Sequence, residues 1–196
     1  MTGAGAILNT LKVATMDSLV VFGTGTVGLS AIMAARLAGA APIIAVDINR
    51  ERLDLALELG ATHALDANET ELSGRVSEIC PRGARFSLET SGVDQALDDA
   101  IECLGMGGVC GMVTVPHYGE KYPFTPFGVF VKAAALQGIF FGSAVPNKFL
   151  PQIIEFYQAG RFPYDQLIRS YDFADINQAF ADTQSGEVIK PVLLMN

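Results

Sequence analysis

Three glycines and one aspartate have the types and spacing to do chemistry. Gly23-Thr24-Gly25-Thr26-Val27-Gly28 follows the pattern G-x-G-x-x-G, and Asp47 comes 19 residues after the last glycine. Such a loop holds a diphosphate. The first glycine permits a tight turn out of a strand, the second removes the side chain that would block a pyrophosphate, and the third lets a helix approach the strand. Backbone N–H groups of Thr26, Val27 and Gly28 in the first helical turn then face the phosphates, aided by the helix dipole. Asp47 can accept hydrogen bonds from both hydroxyls of a ribose. Its charge repels a 2′-phosphate, which favours NAD over NADP. Arg50 and Arg52 pull the other way, because a nearby arginine attracts that phosphate.

In a chain with 20 glycines the spacing arises by chance, so context decides its weight. Leu19 to Phe22 is a compact apolar run ending at the motif. Gly28 to Leu37 reads as an Ala-rich helix stopping near Gly39, and Ile43 to Val46 is the next apolar run, ending at Asp47. The loop therefore leaves a strand, opens a helix and is followed by an acidic strand end, as a dinucleotide site requires. A glycine-rich turn with a solvated aspartate, or a flavin or other nucleotide on the same fold, is the competing reading.

The remaining elements extend the alternation. A helix pattern from Ala4 to Val13 opens the chain. Asn49 suits the N-cap of a helix to Leu59, with Gly60 as its stop. A strand around His63 to Leu65, a helix before Pro81, a strand from Phe86 to Glu89, a helix from Val93 to Leu104 and a strand from Val109 to Val115 follow. Between Pro116 and Lys132 lies a Pro- and Gly-containing loop with one short helix. Leu136 to Phe141 reads as a strand and Phe149 to Gln158 as a helix. Short uninterrupted apolar strands, each followed by a helix, predict an α/β doubly wound parallel sheet (a Rossmann fold) of about six strands. A terminal unit, strand Ile168 to Phe173, helix Ile176 to Thr183 and strand Ile189 to Met195, breaks the alternation and places a boundary near Gly160.

Composition excludes other classes. A net charge of −8 argues against nucleic acid, which needs clustered Lys and Arg. Cys80, Cys103 and Cys110 are three in number, form no C-x-x-C pair and sit in apolar stretches, so they read as core residues of a reduced, cytoplasmic protein. No signal peptide is read at the N-terminus. Leu19 to Ala35 carries no charge, yet its glycines and β-branched start fit a buried strand and helix better than a membrane span.

The runs Asp17-Ser18-Leu19-Val20-Val21-Phe22 with the glycine motif, Ile43-Ile44-Ala45-Val46-Asp47-Ile48-Asn49, and Glu58-Leu59-Gly60-Ala61-Thr62-His63 resemble the medium-chain zinc alcohol dehydrogenases. So do Gly160-Arg161-Phe162-Pro163-Tyr164-Asp165-Gln166-Leu167-Ile168 and Ser185-Gly186-Glu187-Val188-Ile189-Lys190-Pro191. The likeness covers the whole chain and is strongest to the aryl (benzyl) alcohol dehydrogenase branch. It implies a linking helix over 1–16, an NAD-binding domain over 17–160 and a segment of the catalytic domain over 161–196. Ile48 and Arg52 join Asp47 in the implied cofactor set. Val113, Ile139 and Phe141 match positions whose backbone holds the nicotinamide carboxamide, and Thr2 matches a threonine that touches the nicotinamide. Lys190 matches a basic residue near the pyrophosphate; a solvated lysine at a strand start is the alternative.

The resemblance also implies hydride transfer between NAD and an alcohol or aldehyde, with zinc expected in the full-length parent enzyme only. The catalytic zinc ligands of the family lie in a domain that precedes the matched region. Here no His or Cys constellation is read: His63 sits at a strand end and His117 alone in a loop near the expected nicotinamide side. No catalytic or metal residue is therefore assigned, and the chain reads as a truncated or excised piece that binds NAD without turnover. A nucleotide-sensing module acting through a partner, or a dimerising structural remnant, remains the alternative. The family pairs the strand near Leu136 to Ile139 across a two-fold axis, which implies a homodimer or homotetramer.

Overall fold

The computed structural model describes residues 1–69, 71–114 and 125–195. Among them, six parallel strands form one sheet in the order β3-β2-β1-β4-β5-β6. The strands are β1 (Leu19–Phe22), β2 (Ile43–Asp47), β3 (His63–Asp66), β4 (Ala84–Glu89), β5 (Leu104–Met112) and β6 (Ala135–Gly138). Helices α2 (Thr26–Ala38), α3 (Arg50–Leu59), α4 (Leu72–Ile79), α5 (Asp94–Glu102), α6 (Pro126–Val131) and α7 (Pro146–Gln158) connect and cover them, after a short α1 (Thr2–Gly5).

Uninterrupted apolar strands are required because both faces of the sheet are covered. Leu19 and Val21 of β1 enter a core with α2, α3 and α7, while Val20 and Phe22 enter a second core with α4 and α5. Each such side chain contributes about 1.5–3 kcal/mol by leaving water. The uncharged stretch from Leu19 to Ala35 is thus a buried strand and the buried face of a helix. No helix among the described residues is long and apolar enough to cross a membrane.

Local signals set several boundaries. Asn49 caps α3, its side chain accepting from the Arg52 N–H at 3.1 Å, and Gly60 closes it with φ +128°. Gly39 ends α2 in the left-handed conformation. The doubly wound parallel sheet matches the expectation.

Four expectations need correction. The opening segment is not one α-helix from Ala4 to Val13: after α1 it widens into a π-helix over Ala6–Leu11. In α1 the backbone runs so close to α2 that a Cβ on Gly3 would lie 2.0 Å from the Val27 carbonyl oxygen. Strand β5 starts at Leu104, not Val109, because Leu104 pairs with Ala84 across an irregular register despite Gly105, Gly107 and Gly108. It ends at Met112; Val115 and His117 lie outside the described residues. Strand β6 stops at Gly138, since Phe141, Gly142 and Ser143 all take positive φ and turn the chain away. His63 opens β3 rather than ending a strand.

The last segment forms a separate two-stranded parallel sheet, β7 (Ile168–Asp172) and β8 (Lys190–Leu194), joined by α8 (Ile176–Ser185). Buried Asp182 ties α8 to β7, accepting from the Tyr171 hydroxyl at 2.6 Å and from Gln178. These two bonds, Tyr171 first, hold its carboxyl below the ordinary 3.8.

Candidate functional site

The sheet changes winding direction between β1 and β4, and a crevice of about 500 Å³ opens at the carboxyl ends of these strands. This is where open α/β sheets bind ligands. Gly23, Gly25, Asp47, Ile48, Arg52 and Thr90 line it.

The three glycines are needed for three different reasons. Gly23 has φ +90°, which turns the chain out of β1. A Cβ on Gly28 would sit 1.8 Å from the Gly23 carbonyl oxygen, so only glycine lets α2 start this close to β1. At Gly25 a Cβ would meet no protein atom within 4 Å. Nothing in the fold forbids a side chain there; only a ligand lying on the loop would. Gly25 is also the N-cap of α2 and offers no capping side chain, so the first-turn N–H groups of Thr26, Val27 and Gly28 are left for an anion. The residues therefore fit a diphosphate.

Asp47 ends β2 beside this loop. One carboxylate oxygen accepts from the backbone N–H and, at 2.8 Å, the hydroxyl of fully buried Thr24; the other accepts from the Asn49 N–H at 2.9 Å. The acid is thus locked in place with one acceptor site, on the oxygen that faces Asn49, still free for a ribose hydroxyl. Ile48 is 71% exposed and gives the crevice an apolar lip. Among the described residues the Arg52 Nε is buried without a partner, and its guanidinium reaches the Gly186 carbonyl at 3.5 Å. Arg50 points elsewhere, into an exposed pair with Asp54 at 3.4 Å.

A second group of residues gathers at the far end. The Ile139 N–H donates to the Met112 carbonyl at 2.8 Å, placing Ile139 beside Val113. Ile139 itself is buried and Val113 half-buried. Phe141 is 56% exposed and meets Phe140 edge-on at 4.6 Å. Gly142 brings Thr2 to this turn, since a Cβ there would lie 2.7 Å from the Thr2 carbonyl oxygen. Exposed Lys190 follows Ile189, whose carbonyl accepts the Thr26 hydroxyl at 3.1 Å, so the terminal sheet is tied to the first turn of α2.

Sequence reasoning missed three contributors. Thr24 occupies a variable position of the glycine motif, and nothing in the spacing marks it. Glu89 ends β4 and Thr90 follows it, and an acid ending the run Phe86-Ser87-Leu88 is a signal that could have found them. The Thr90 hydroxyl lies 2.9 Å from the carbonyls of both Phe22 and Gly23 and clamps β4 to the glycine loop.

The three cysteines are free and buried. Burial pushes the Cys110 thiol up to about 11 and raises Cys103 further, with Cys80 also raised. Stability they lend is present below the ordinary thiol value of 9.0 and lost as the pH rises above it. Exposed His63 lies 2.8 Å from the Thr62 hydroxyl. Among the described residues no three His, Cys, Asp or Glu side chains converge as metal ligands, so these residues do not fit a zinc centre.

A glycine loop at the switch point of a parallel sheet of this order defines a Rossmann-like cofactor-binding domain. The chain belongs to the zinc-binding dehydrogenase family, whose model matches residues 26–159. It is 42% identical to the geraniol dehydrogenase of Castellaniella defragrans over 98% of this chain and 52% of that protein. It is 34% identical to the class-P alcohol dehydrogenase of Arabidopsis thaliana, over 99% and 52%. The crystal structure of benzyl alcohol dehydrogenase from Acinetobacter calcoaceticus superposes with a TM-score of 0.96 at 39% identity, over 100% of this chain and 54% of that one. The alcohol dehydrogenase zinc-binding domain protein of Burkholderia ambifaria gives 0.96 at 44% identity, over 100% and 53%. The chain spans about half the length of the relatives it matches. The family resemblance drawn from the sequence is borne out.

Proposed function

We propose that this chain binds NAD as the cofactor-binding part of an alcohol dehydrogenase. The observation that carries the proposal is the open Cβ position at Gly25, set between filled positions at Gly23 and Gly28 and beside Asp47. The N–H groups of Thr26, Val27 and Gly28 hold the pyrophosphate, Asp47 holds the adenosine ribose, and Ile48 and Arg52 flank it. Val113, Ile139, Phe141 and Thr2 form the nicotinamide end, and Lys190 offsets phosphate charge. Bound NAD supplies a hydride acceptor for the carbinol carbon of an alcohol, aromatic or allylic in view of the relatives' names. Residues 17–160 form the NAD-binding unit, preceded by a linking segment over 1–16 that is helical at Thr2–Gly5 and Ala6–Leu11 and followed by a catalytic-domain segment over 161–196, in a cytoplasmic protein.

The chain alone binds without turnover, because its described residues offer no ligand set for zinc. Calorimetric titration with NADH tests the first half: saturable one-site binding is expected, and its absence overturns the proposal. Steady NAD reduction by the purified chain with benzyl alcohol or geraniol, and no partner, overturns the second half.

A homodimer is the associated proposal on the oligomeric state. Strand β6 is a sheet edge with Ala135, Gln137 and Gly138 exposed, and Phe127 (70%), Phe130 (84%) and Phe140 (82% exposed) are apolar groups in water. Unpaired edges and apolar patches of this kind favour strand addition. Sedimentation at micromolar concentration is expected to give a dimer mass, and Leu136→Pro is expected to give the monomer. A native chain that sediments as a monomer sinks this reading.

A further inference from the structure

Glu89 is 1% exposed at the C-terminal end of β4, and among the described residues no lysine or arginine pairs with it. A carboxylate in that setting survives only if hydrogen-bond donors replace its water. One oxygen accepts from the Ser91 N–H at 2.6 Å, the Ser91 hydroxyl at 2.7 Å and the Gly92 N–H at 2.8 Å. The other accepts from the Thr114 hydroxyl. The Glu89 carbonyl also accepts the Val113 N–H at 3.3 Å. Next to it, Thr90 is clamped to Phe22 and Gly23. The consecutive residues Glu89 and Thr90 therefore join three loops: the one leaving β1, the one leaving β4 and the one leaving β5.

We infer that Glu89, through Thr114, is a positioning residue that sets the distance between the glycine loop and the Val113 wall, so that both ends of one dinucleotide meet their partners. The inference rests on the NAD reading given above. A purely structural acid would stabilise the fold and act on all ligands alike. A spacer between two subsites acts on a ligand that fills both.

The test is calorimetric titration of NAD, and of ADP-ribose, which lacks the nicotinamide, into the native chain and into Thr114→Val, Thr114→Ser and Glu89→Gln. The native chain is expected to prefer NAD. Thr114→Val removes one donor and leaves Glu89 three, so the fold persists. Its NAD affinity is expected to fall about tenfold, equivalent to about 1.4 kcal/mol, while ADP-ribose changes less than about twofold. Thr114→Ser, which keeps the hydroxyl, restores the preference. Glu89→Gln, which turns an amide N–H₂ toward donors, is expected to lower the NAD to ADP-ribose ratio as well. The inference is overturned if Thr114→Val keeps the native ratio, if it weakens both nucleotides equally, or if the native chain binds both equally. Failure of the NAD reading itself looks different: neither nucleotide binds the native chain.

Discussion

Gly25→Val is expected to fold like the native chain and to bind NADH about 100-fold more weakly. The backbone at Gly25 has φ −76° and ψ −168°, an extended conformation that a β-branched residue adopts without strain. Its Cβ would meet no protein atom within 4 Å. The stability change is therefore expected within about 1 kcal/mol, the difference between glycine and an apolar residue at an N-cap. A ligand experiences the opposite. A valine on the loop holds the diphosphate away from the N–H groups of Thr26 and Val27. Two charge-assisted hydrogen bonds, each about 1.5–3 kcal/mol, are then lengthened or lost. Losing both at the lower value amounts to about 3 kcal/mol, enough for the hundredfold expected. Thermal unfolding and calorimetry on the same preparation separate the two effects. Native-like NADH affinity in Gly25→Val would mean that no phosphate lies on this loop.

Gly28→Ala is expected to do the reverse, damaging the fold first. Alanine is the better helix former by about 1 kcal/mol. That gain is overwhelmed, because the new methyl would lie 1.8 Å from the Gly23 carbonyl oxygen and 2.9 Å from its carbon. Neither side can yield cheaply. Gly23 follows a strand paired on both edges, and α2 is anchored by Leu29, Ile32 and Met33, all fully buried. Overpacking against backbone of this kind costs about 3 kcal/mol or more. For a chain of this length that lowers Tm by about 6–12 °C. A melting curve with Tm within about a degree of native would show that the helix and loop are not in contact as described.

The contrast between these neighbouring glycines shows what could be read from residue order and what could not. The spacing of Gly23, Gly25 and Gly28, with Asp47 beyond the next apolar run, was legible because each position imposes a constraint within its own turn. Asn49 at the start of α3 and Gly60 at its end were legible for the same reason, since a cap acts on N–H and C=O groups three or four residues away. The six-stranded parallel order followed from apolar strands without alternation, because such strands must be covered on both faces. Where packing overrides local preference, the reading failed. Gly105, Gly107 and Gly108 look like a turn, yet pairing of Leu104 with Ala84 draws this stretch into β5. The π-helix at Ala6–Leu11 lies where the first segment runs between α2 and the Gly142 turn, a contact no periodicity reports.

The residue types and their intervals were enough to establish the Rossmann-like fold and the family, and to single out Gly23, Gly25, Gly28 and Asp47 as the candidate site. They did not reveal that Thr24 locks Asp47, that Thr90 clamps Gly23, that Glu89 gathers Ser91, Gly92 and Thr114, or that Ile189 reaches Thr26 across 163 residues. Those partners are distant in the chain and adjacent only once β4 lies beside β1 and the terminal sheet docks on α2. A hydrogen bond between loops depends on the order of the strands that carry them, and that order is a property of the folded sheet.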